Sequence, residues 1–329
     1  MRSLVTGGAG FIGSHLVERL LADGEHVTVL DDLSTGRSRN LDHLIGRADV
    51  ELRRGSVTDP AAVRQAMDGA DRVYHLAAAV GVRLIVDSPL SSMRTNIHGT
   101  EMVLEAAHQS GAEVLLASTS EVYGKNTSDL LHEDADRVLG SPLVARWSYS
   151  AAKGLDEALA HAYWNELSLP VTIVRLFNTV GPRQSDQYGM VLPRLVGQAL
   201  RGEALTVYGD GRQTRCFSYV SDVVEAMVAL AGEPGAHGSA YNLGGAEEIS
   251  MLDLARRILA VTGSPSPVDL VPYNLAYGPG FEDMRRRVPD NSRAHALIGY
   301  RPSTPLDTVI ARVAEHLLDP RSAPSAAVT

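Results

Sequence analysis

Gly7-Gly8-Ala9-Gly10-Phe11-Ile12-Gly13 restricts this chain more than any other segment. It lies between Leu4-Val5, which reads as a strand end, and apolar residues at helical spacing: Phe11, Ile12, Leu16, Val17, Leu20 and Leu21. In a strand–turn–helix of this kind Gly7 permits the tight turn, Gly10 lets the backbone approach a pyrophosphate, and Gly13 allows close helix–sheet packing. The phosphates then rest on free N–H groups at the positive end of the helix. The same glycines could form a bare turn, but their surroundings favour a dinucleotide. A second strand over 27–30 ends in Asp31-Asp32, about 20 residues on, where a carboxylate can accept hydrogen bonds from an adenosine ribose. Paired carboxylates repel a 2′-phosphate, so the pattern selects NAD over NADP. The spacing is Gly-x-x-Gly-x-x-Gly, unlike the dehydrogenase spacing Gly-x-Gly-x-x-Gly.

Strand and helix patterns alternate through the first 120 residues. Strands are expected over 50–53, 72–76 and 113–117, and helices over 61–67, behind Pro60, and 93–107. A helix over 148–166 and a strand over 171–176 follow. This order implies right-handed βαβ units and a parallel sheet with helices on both faces. The fold class expected is α/β, a Rossmann-type doubly wound parallel sheet with a smaller mixed α/β substrate-binding lobe. After Asn178 the pattern loosens, with glycines and prolines between helices near 191–201, 220–231, 251–262 and 305–318. The division expected is a cofactor-binding domain over 1–177, a mainly substrate-binding lobe over 178–319 with some interleaving, and a frayed tail over 320–329.

Composition sets outer limits. A net charge of −9 argues against a nonspecific grip on nucleic acid. One cysteine, Cys216, leaves no internal disulfide and no multi-cysteine zinc site. The 11 histidines form no HExxH or His-x-x-x-His spacing, so no metal is expected, and His75 reads as packing beside the sheet. No apolar stretch is long enough for a membrane span, and no signal peptide precedes the first strand. A cytoplasmic protein is expected.

Only two of the 30 Lys and Arg residues are lysines, Lys125 and Lys153. Tyr149 stands four residues before Lys153 on a predicted helix, which puts both on one face. A phenol titrates near 10, too high for a base at neutral pH. A nearby ammonium and a cationic nicotinamide favour the phenolate, so the pair can act as a general base toward a hydroxyl. Thr119 and Ser120 lie just past a strand's carboxyl end, where open α/β sheets bind ligands.

Together these residues resemble the extended short-chain dehydrogenase/reductase family, in its nucleotide-sugar epimerase, dehydratase and decarboxylase branch. The likeness covers essentially the whole chain. It rests on residues 7–13, Asp31-Asp32-Leu33-Ser34, His75-Leu76-Ala77-Ala78, residues 118–124 and 149–153, Arg175-Leu176-Phe177-Asn178, Gly181-Pro182-Arg183, and Val207-Tyr208-Gly209-Asp210-Gly211 with Arg215. The resemblance implies NAD contacts from Gly7, Gly10, Phe11, Ile12 and Gly13. Asp31, Asp32, Leu33, Ser34 and Gly36 would add to them after the second strand. Ser56, Val57, Leu76, Ala77 and Ala78 would follow, with Lys153 on the ribose. It implies Tyr149 as the base and Thr119 on the sugar O4. Asn178 would contact the sugar nucleotide, Arg215 its diphosphate, and Val207 and Tyr208 would sit near the uracil. Val80, Arg83, Ser120, Glu121, Thr179, Val191 and Gln213 would complete the substrate site. Asp283 and Arg287 fit ribose and phosphate contacts, although the run Arg285-Arg286-Arg287 could equally be a solvated face. A homodimer through the helices over 93–109 and 148–166 is also implied, with Ala106, Ala107, Ala158 and Ala162 permitting close approach.

The implied chemistry oxidises C4 of a UDP-sugar to a ketone. Hydride return to the other face gives 4-epimerisation, a C6 carboxylate can leave as CO₂, and a C6 alcohol can leave as water. Dehydratases of this branch place an Asp-Glu pair after the threonine, where this chain has Ser120-Glu121, which demotes dehydration. Glu121 with Ser120 and Arg215 resembles UDP-glucuronate decarboxylases. Residues 178–191 and 77–83 resemble bacterial epimerases, including ones acting on UDP-glucuronic acid. Thr119, Ser120 and Thr179 could hold a C6 carboxylate in the plane of the keto group, which would discourage loss of CO₂. On this balance the sequence favours a UDP-glucuronic acid 4-epimerase, with UDP-glucuronate decarboxylase next, UDP-glucose 4-epimerase behind it, and a non-enzymatic NAD sensor least favoured.

Overall fold

The computed structural model describes residues 1–81, 88–185, 190–277 and 284–319. Arg83, Asp283 and the tail from Pro320 lie outside the described residues.

The first half builds strands β1 (Arg2–Thr6), β2 (His26–Asp31), β3 (Val50–Arg54), β4 (Arg72–His75), β5 (Glu113–Thr119) and β6 (Val171–Leu176). Between them run helices α1 (Phe11–Ala22), α2 (Pro60–Met67), α3 (Pro89–Ser110) and α4 (Ser148–Leu167). Pro60 occupies the first turn of α2, where no N–H is needed, and the Asp59 side chain accepts from Ala61 N at 2.9 Å. Helix α3 ends on Gly111 in the left-handed conformation, which costs glycine little.

The second half contributes β7 (Thr179–Val180), α5 (Val191–Leu200), β8 (Leu205–Tyr208), β9 (Thr214–Cys216), β10 (Ser218–Tyr219) and α6 (Val220–Ala231). It continues with β11 (Ala240–Leu243), β12 (Glu248–Ser250), α7 (Met251–Thr262), β13 (Val268–Val271), α8 (Tyr273–Tyr277), β14 (Arg286–Arg287), α9 (Ser292–Ile298) and α10 (Leu306–Leu318).

Seven strands form one parallel sheet in the order β11-β6-β5-β4-β1-β2-β3. Its inner strands are buried on both faces, as a doubly covered parallel sheet requires. Leu16, Val17 and Leu20 of α1 share one core with Val223, Met227 and Leu230 of α6. Val63 and Met67 of α2, Val103 and Leu104 of α3 and Ala160 of α4 share the core on the opposite face. Ala106 and Ala107 belong to that internal core, whereas Ala158 is exposed. A third core joins Leu192 and Leu195 of α5 to Leu254 and Ile258 of α7 and Val309 and Ile310 of α10. The small sheets beside it mix parallel and antiparallel pairs, giving the smaller mixed lobe.

The apolar pattern gives no sign of β11. It is four residues long and carries a fully buried Asn242, which breaks an apolar run. Burial is tolerated because the amide is satisfied: its Oδ1 accepts from the Tyr123 hydroxyl at 2.7 Å and its Nδ2 donates to Leu131 O at 2.8 Å. The main-chain N–H of Asn242 donates to Glu133 Oε1 at 2.8 Å.

Candidate active site

The strand order reverses between β4 and β1, and a cleft of about 660 Å³ opens beyond the carboxyl ends of the strands there. Its floor holds the glycine turn. Gly7 has φ 71°, and a Cβ on Gly13 would stand 2.2 Å from Gly7 O, so α1 reaches the sheet only because residue 13 has no side chain. A Cβ on Gly10 would meet nothing closer than Gly7 O, at 3.0 Å. No side chain caps α1, so its first N–H groups are open to an anion. Phe11 and Ile12 line the cleft beside them.

Asp31 ends β2 and closes the turn after it. Its Oδ2 accepts from Ala9 N at 2.9 Å and its Oδ1 from Leu33 N at 2.8 Å. Burial raises the carboxyl pKa, against the pull of those two N–H groups. Asp32, Ser34, Gly36, Val57, Leu76, Ala77 and Ala78 also line this end. Leu33 and Ser56 do not. Leu33, at φ 62°, packs on the apolar core around α1, and Ser56 pairs with the Thr58 hydroxyl at 2.9 Å. A glycine floor, an uncapped helix and a carboxylate at the end of β2 fit an adenine dinucleotide.

At the other end Tyr149 and Lys153 enter from α4, with 7% and 2% of their surface exposed. Lys153 Nζ donates to Ala117 O at 3.0 Å and stands 3.2 Å from Asp156 Oδ2. The Tyr149 phenol is pushed well above its usual range, first by burial and then by the Glu121 and Asp156 carboxylates. The sequence assigned Lys153 the opposite influence, but here its ammonium is held by Asp156.

Thr119 lines the cleft and caps the short turn Ser120–Tyr123, its Oγ1 accepting from Glu121 N at 3.2 Å. Below it lies a buried polar network. Arg175 Nη2 donates to Glu157 Oε2 at 2.7 Å and Arg175 Nη1 to the Tyr123 hydroxyl at 2.9 Å, while Ser118 donates to Glu157. The network ties β5, β6 and α4 together. His75 is fully engaged between the Thr6 and Thr100 hydroxyls at 2.7 and 3.2 Å.

Glu121 is the most constrained carboxylate of the cleft. Arg146 Nη1 lies 2.6 Å from its Oε2, and Arg287 Nη1 donates to its Oε1. Burial opposes the charge, yet the two guanidiniums outweigh it and hold the carboxyl at about 2. Arg287 also donates to Asn178 Oδ1 at 2.6 Å, and Asn178 Nδ2 donates to Cys216 O at 2.8 Å. Both ends of the Asn178 amide are therefore engaged within the protein.

The arginine run splits by strand alternation. Arg286 makes an outer, two-pronged contact with Glu248 at 2.7 and 2.8 Å, whereas Arg287 lines the cleft. The pairing of β14 with β9 sets Arg287 opposite Arg215. Val80, Ser120, Thr179, Val191, Val207, Tyr208, Gln213 and Arg215 line the same cleft. The Thr179 Oγ1 is buried with no hydrogen-bond partner.

Arg146 belongs to no motif of the sequence yet lines the cleft. It sits in the turn Ala145–Trp147, only 5% exposed, with its guanidinium 5.3 Å from the centre of the Trp147 ring. The available signal was its place three residues ahead of Tyr149. Arg194, Phe217 and Tyr273 line the cleft as well, and Arg194 stacks 4.4 Å above the Tyr208 ring. Among the described residues no group of three or more metal-ligating side chains occurs. No helix among them is long and apolar enough to cross a membrane.

Known proteins resemble this chain in sequence and in fold. The chain is 41% identical over 303 residues to a UDP-N-acetyl-alpha-D-glucosaminuronate decarboxylase of Bacillus cytotoxicus, covering 92% of this chain and 93% of that protein. It is 39% identical to UDP-glucuronic acid decarboxylase 1 of Xenopus tropicalis, over 93% of this chain and 69% of the relative. The crystal structure of UDP-glucuronic acid 4-epimerase from Bacillus cereus, in complex with UDP-glucuronic acid and NAD, superposes with a TM-score of 0.86 at 30% identity, over 96% and 98% of the two chains. Residues 3–244 match the model of the NAD dependent epimerase/dehydratase family. With its doubly wound sheet, glycine turn and Tyr–Lys pair, the chain belongs to the NAD-dependent epimerase/dehydratase family and takes NAD as its cofactor.

Proposed function

We propose that this protein is an NAD-dependent UDP-hexuronate decarboxylase, the reading that stood second on sequence alone. The observation that carries it is the Glu121 carboxylate held between Arg146 and Arg287. Two relatives over nearly the whole chain, named as UDP-hexuronate decarboxylases, support it.

Gly10, Phe11, Ile12, Asp31 and Lys153 would hold NAD, which when bound supplies the acceptor and donor of the C4 hydrogen. Tyr149 takes the O4 proton, and Thr119 orients O4. The resulting 4-keto uronate is a β-keto acid. Its C5–C6 bond breaks, CO₂ leaves, the electron pair becomes the C4–C5 enolate, C5 takes a proton from water, and Tyr149 returns its proton to O4 as the C4 hydrogen is restored. Glu121 remains ionised at neutral pH and meets the C6 carboxylate as a like charge, a repulsion relieved when that group departs as neutral CO₂. Arg146 and Arg287 keep Glu121 charged and offset the enolate. Thr179 Oγ1, buried and unpartnered, is the uronate hydrogen-bond donor.

The second reading, 4-epimerisation of UDP-glucuronic acid, is favoured by the likeness to the Bacillus cereus enzyme and by the same Thr179 hydroxyl. The two part in one experiment. The protein is incubated with NAD⁺ and either UDP-glucuronic acid or UDP-N-acetylglucosaminuronic acid, and the sugar nucleotides are analysed by mass spectrometry and proton NMR. Loss of CO₂ is the expected result. A product of unchanged mass with an inverted C4 proton pattern would make it the epimerase.

The division of labour proposed is cofactor on residues 1–177 and sugar nucleotide mainly on 178–319. A homodimer through α3 and α4 is proposed as well, on the exposed outer face that carries Leu155 and Ala158, and light scattering tests it.

A further inference from the structure

Asp156 is a buried acid that the chemistry above does not use. Only 1% of it is exposed, its Oδ2 stands 3.2 Å from the Lys153 ammonium, and the Thr100 hydroxyl is also beside its carboxylate. Such a group costs free energy unless a cation compensates it. The groups facing it are few. On its own helix these are Lys153 and Glu157, and Glu157 is committed to Arg175 and Ser118. From α3 comes the Thr100 hydroxyl, which is shared with His75 Nε2 of β4. Glu121, from the turn after β5, acts on Tyr149 instead and is already paired with Arg146 and Arg287. Lys153 is thus the cation left for Asp156.

The spacing completes the picture. Tyr149, Lys153 and Asp156 recur at i, i+4 and i+7 along one face of α4. Lys153 and Asp156 form a pair of zero net charge, so the lysine is not a free cation beside the phenol.

We propose that Asp156 is a positioning residue for the Tyr149–Lys153 pair. Its carboxylate fixes the Lys153 ammonium against Ala117 O and supplies the negative charge that opposes ionisation of Tyr149. The direction of the Tyr149 shift, raised by burial, Glu121 and Asp156, agrees. The phenolate then forms only when a positive nicotinamide joins the site, which couples base formation to the oxidised cofactor. The inference rests on the reading of Tyr149 and Lys153 as the proton-transfer pair, and it holds for decarboxylation and epimerisation alike.

The test needs no sugar nucleotide, so its outcome is separate from that of the proposed function. Tyrosinate absorbance is titrated in the NAD⁺-loaded full chain, with the Tyr149→Phe protein subtracted to isolate Tyr149. Asp156→Asn is expected to lower the Tyr149 midpoint by about one pH unit or more, or to bring it into view if the parent does not titrate in range. Asp156→Glu, which keeps the charge, restores the parent behaviour. If Asp156→Asn folds poorly, Asp156→Ser gives the same readout with a smaller side chain. An unchanged midpoint in the neutral variants overturns the proposal, and so does an equal shift in Asp156→Glu, which would make packing rather than charge the cause.

Discussion

Glu121 and Arg287 stand 166 residues apart in the chain and form an ion pair in the cleft. One follows the fifth strand of the main sheet, the other lies on the last strand of the small lobe. The pair therefore joins the two parts of the molecule across the cleft, with Arg146 completing the clamp.

Glu121→Gln removes the charge and keeps the shape. Decarboxylation is expected to fall at least 100-fold in kcat, the scale seen when one preorganised electrostatic group is lost. NAD⁺ binding is expected to stay within about twofold, because Glu121 lies away from the glycine turn. Thermal stability should also drop by about 3–5 kcal/mol, since two buried guanidiniums lose their counter-charge. Steady-state kinetics, calorimetry of NAD⁺ binding and denaturant melts read the three effects separately.

Acid sensitivity follows from two buried groups. The Glu121 carboxyl is held at about 2, below its unfolded value, so its contribution is complete above about 4.3 and is lost as pH falls toward 2. His75 is held down at about 3 by burial and by Lys153. The unfolded imidazole binds a proton below about 6.5, so stability is also lost from there down to about 3. Unfolding free energy measured from pH 7 to 3 should decline throughout, and Glu121→Gln should flatten the lower part of that curve. A parallel decline in parent and variant below pH 4 would contradict the assignment.

Gly13→Ala tests the floor of the cleft. Its Cβ would lie 2.2 Å from Gly7 O and 2.7 Å from Gly8 Cα, both backbone atoms. Helix α1 has to move off the sheet, at a cost of about 1–3 kcal/mol typical of overpacking. NAD⁺ affinity is expected to fall at least tenfold. Gly24→Ala meets nothing within 4 Å but carries φ 80°, so it should lower stability modestly and leave NAD⁺ binding alone.

Thr179→Val replaces an unpartnered buried hydroxyl with an isosteric methyl. Stability is expected to hold or rise, because no hydrogen bond within the protein is lost. The KM for a UDP-hexuronate should rise about tenfold if that hydroxyl meets the C6 carboxylate. An unchanged KM would remove Thr179 from the uronate contacts.

Much of the framework was legible because local signals agree with the global fold. The strand over 171–176 and the helices over 220–231 and 251–262 stand where their apolar patterns put them. The glycine turn and Asp31 were legible for the same reason, since their function depends on residues close in sequence. The contacts around Glu121 were harder. The Arg285-Arg286-Arg287 run could not be divided until the pairing of β14 with β9 placed Arg287 beside Arg215. Arg146 carries no motif of its own, and its partner Glu121 comes from another element. Asn242 hid β11, because the bonds that justify its burial come from Tyr123, Leu131 and Asp290, all far away in the chain.

Strand β11 has one more implication. It is residues 240–243 that cover the outer side of β6, pairing Ala240 with Ile173 and Leu243 with Leu176. A fragment ending near residue 177 would leave β6 as a bare, apolar edge, a template for self-association. It would also lack the α6 half of one core. The nucleotide-binding part is therefore not a detachable module. During synthesis its sheet has to wait, open on one side, until residues 240–243 have been made.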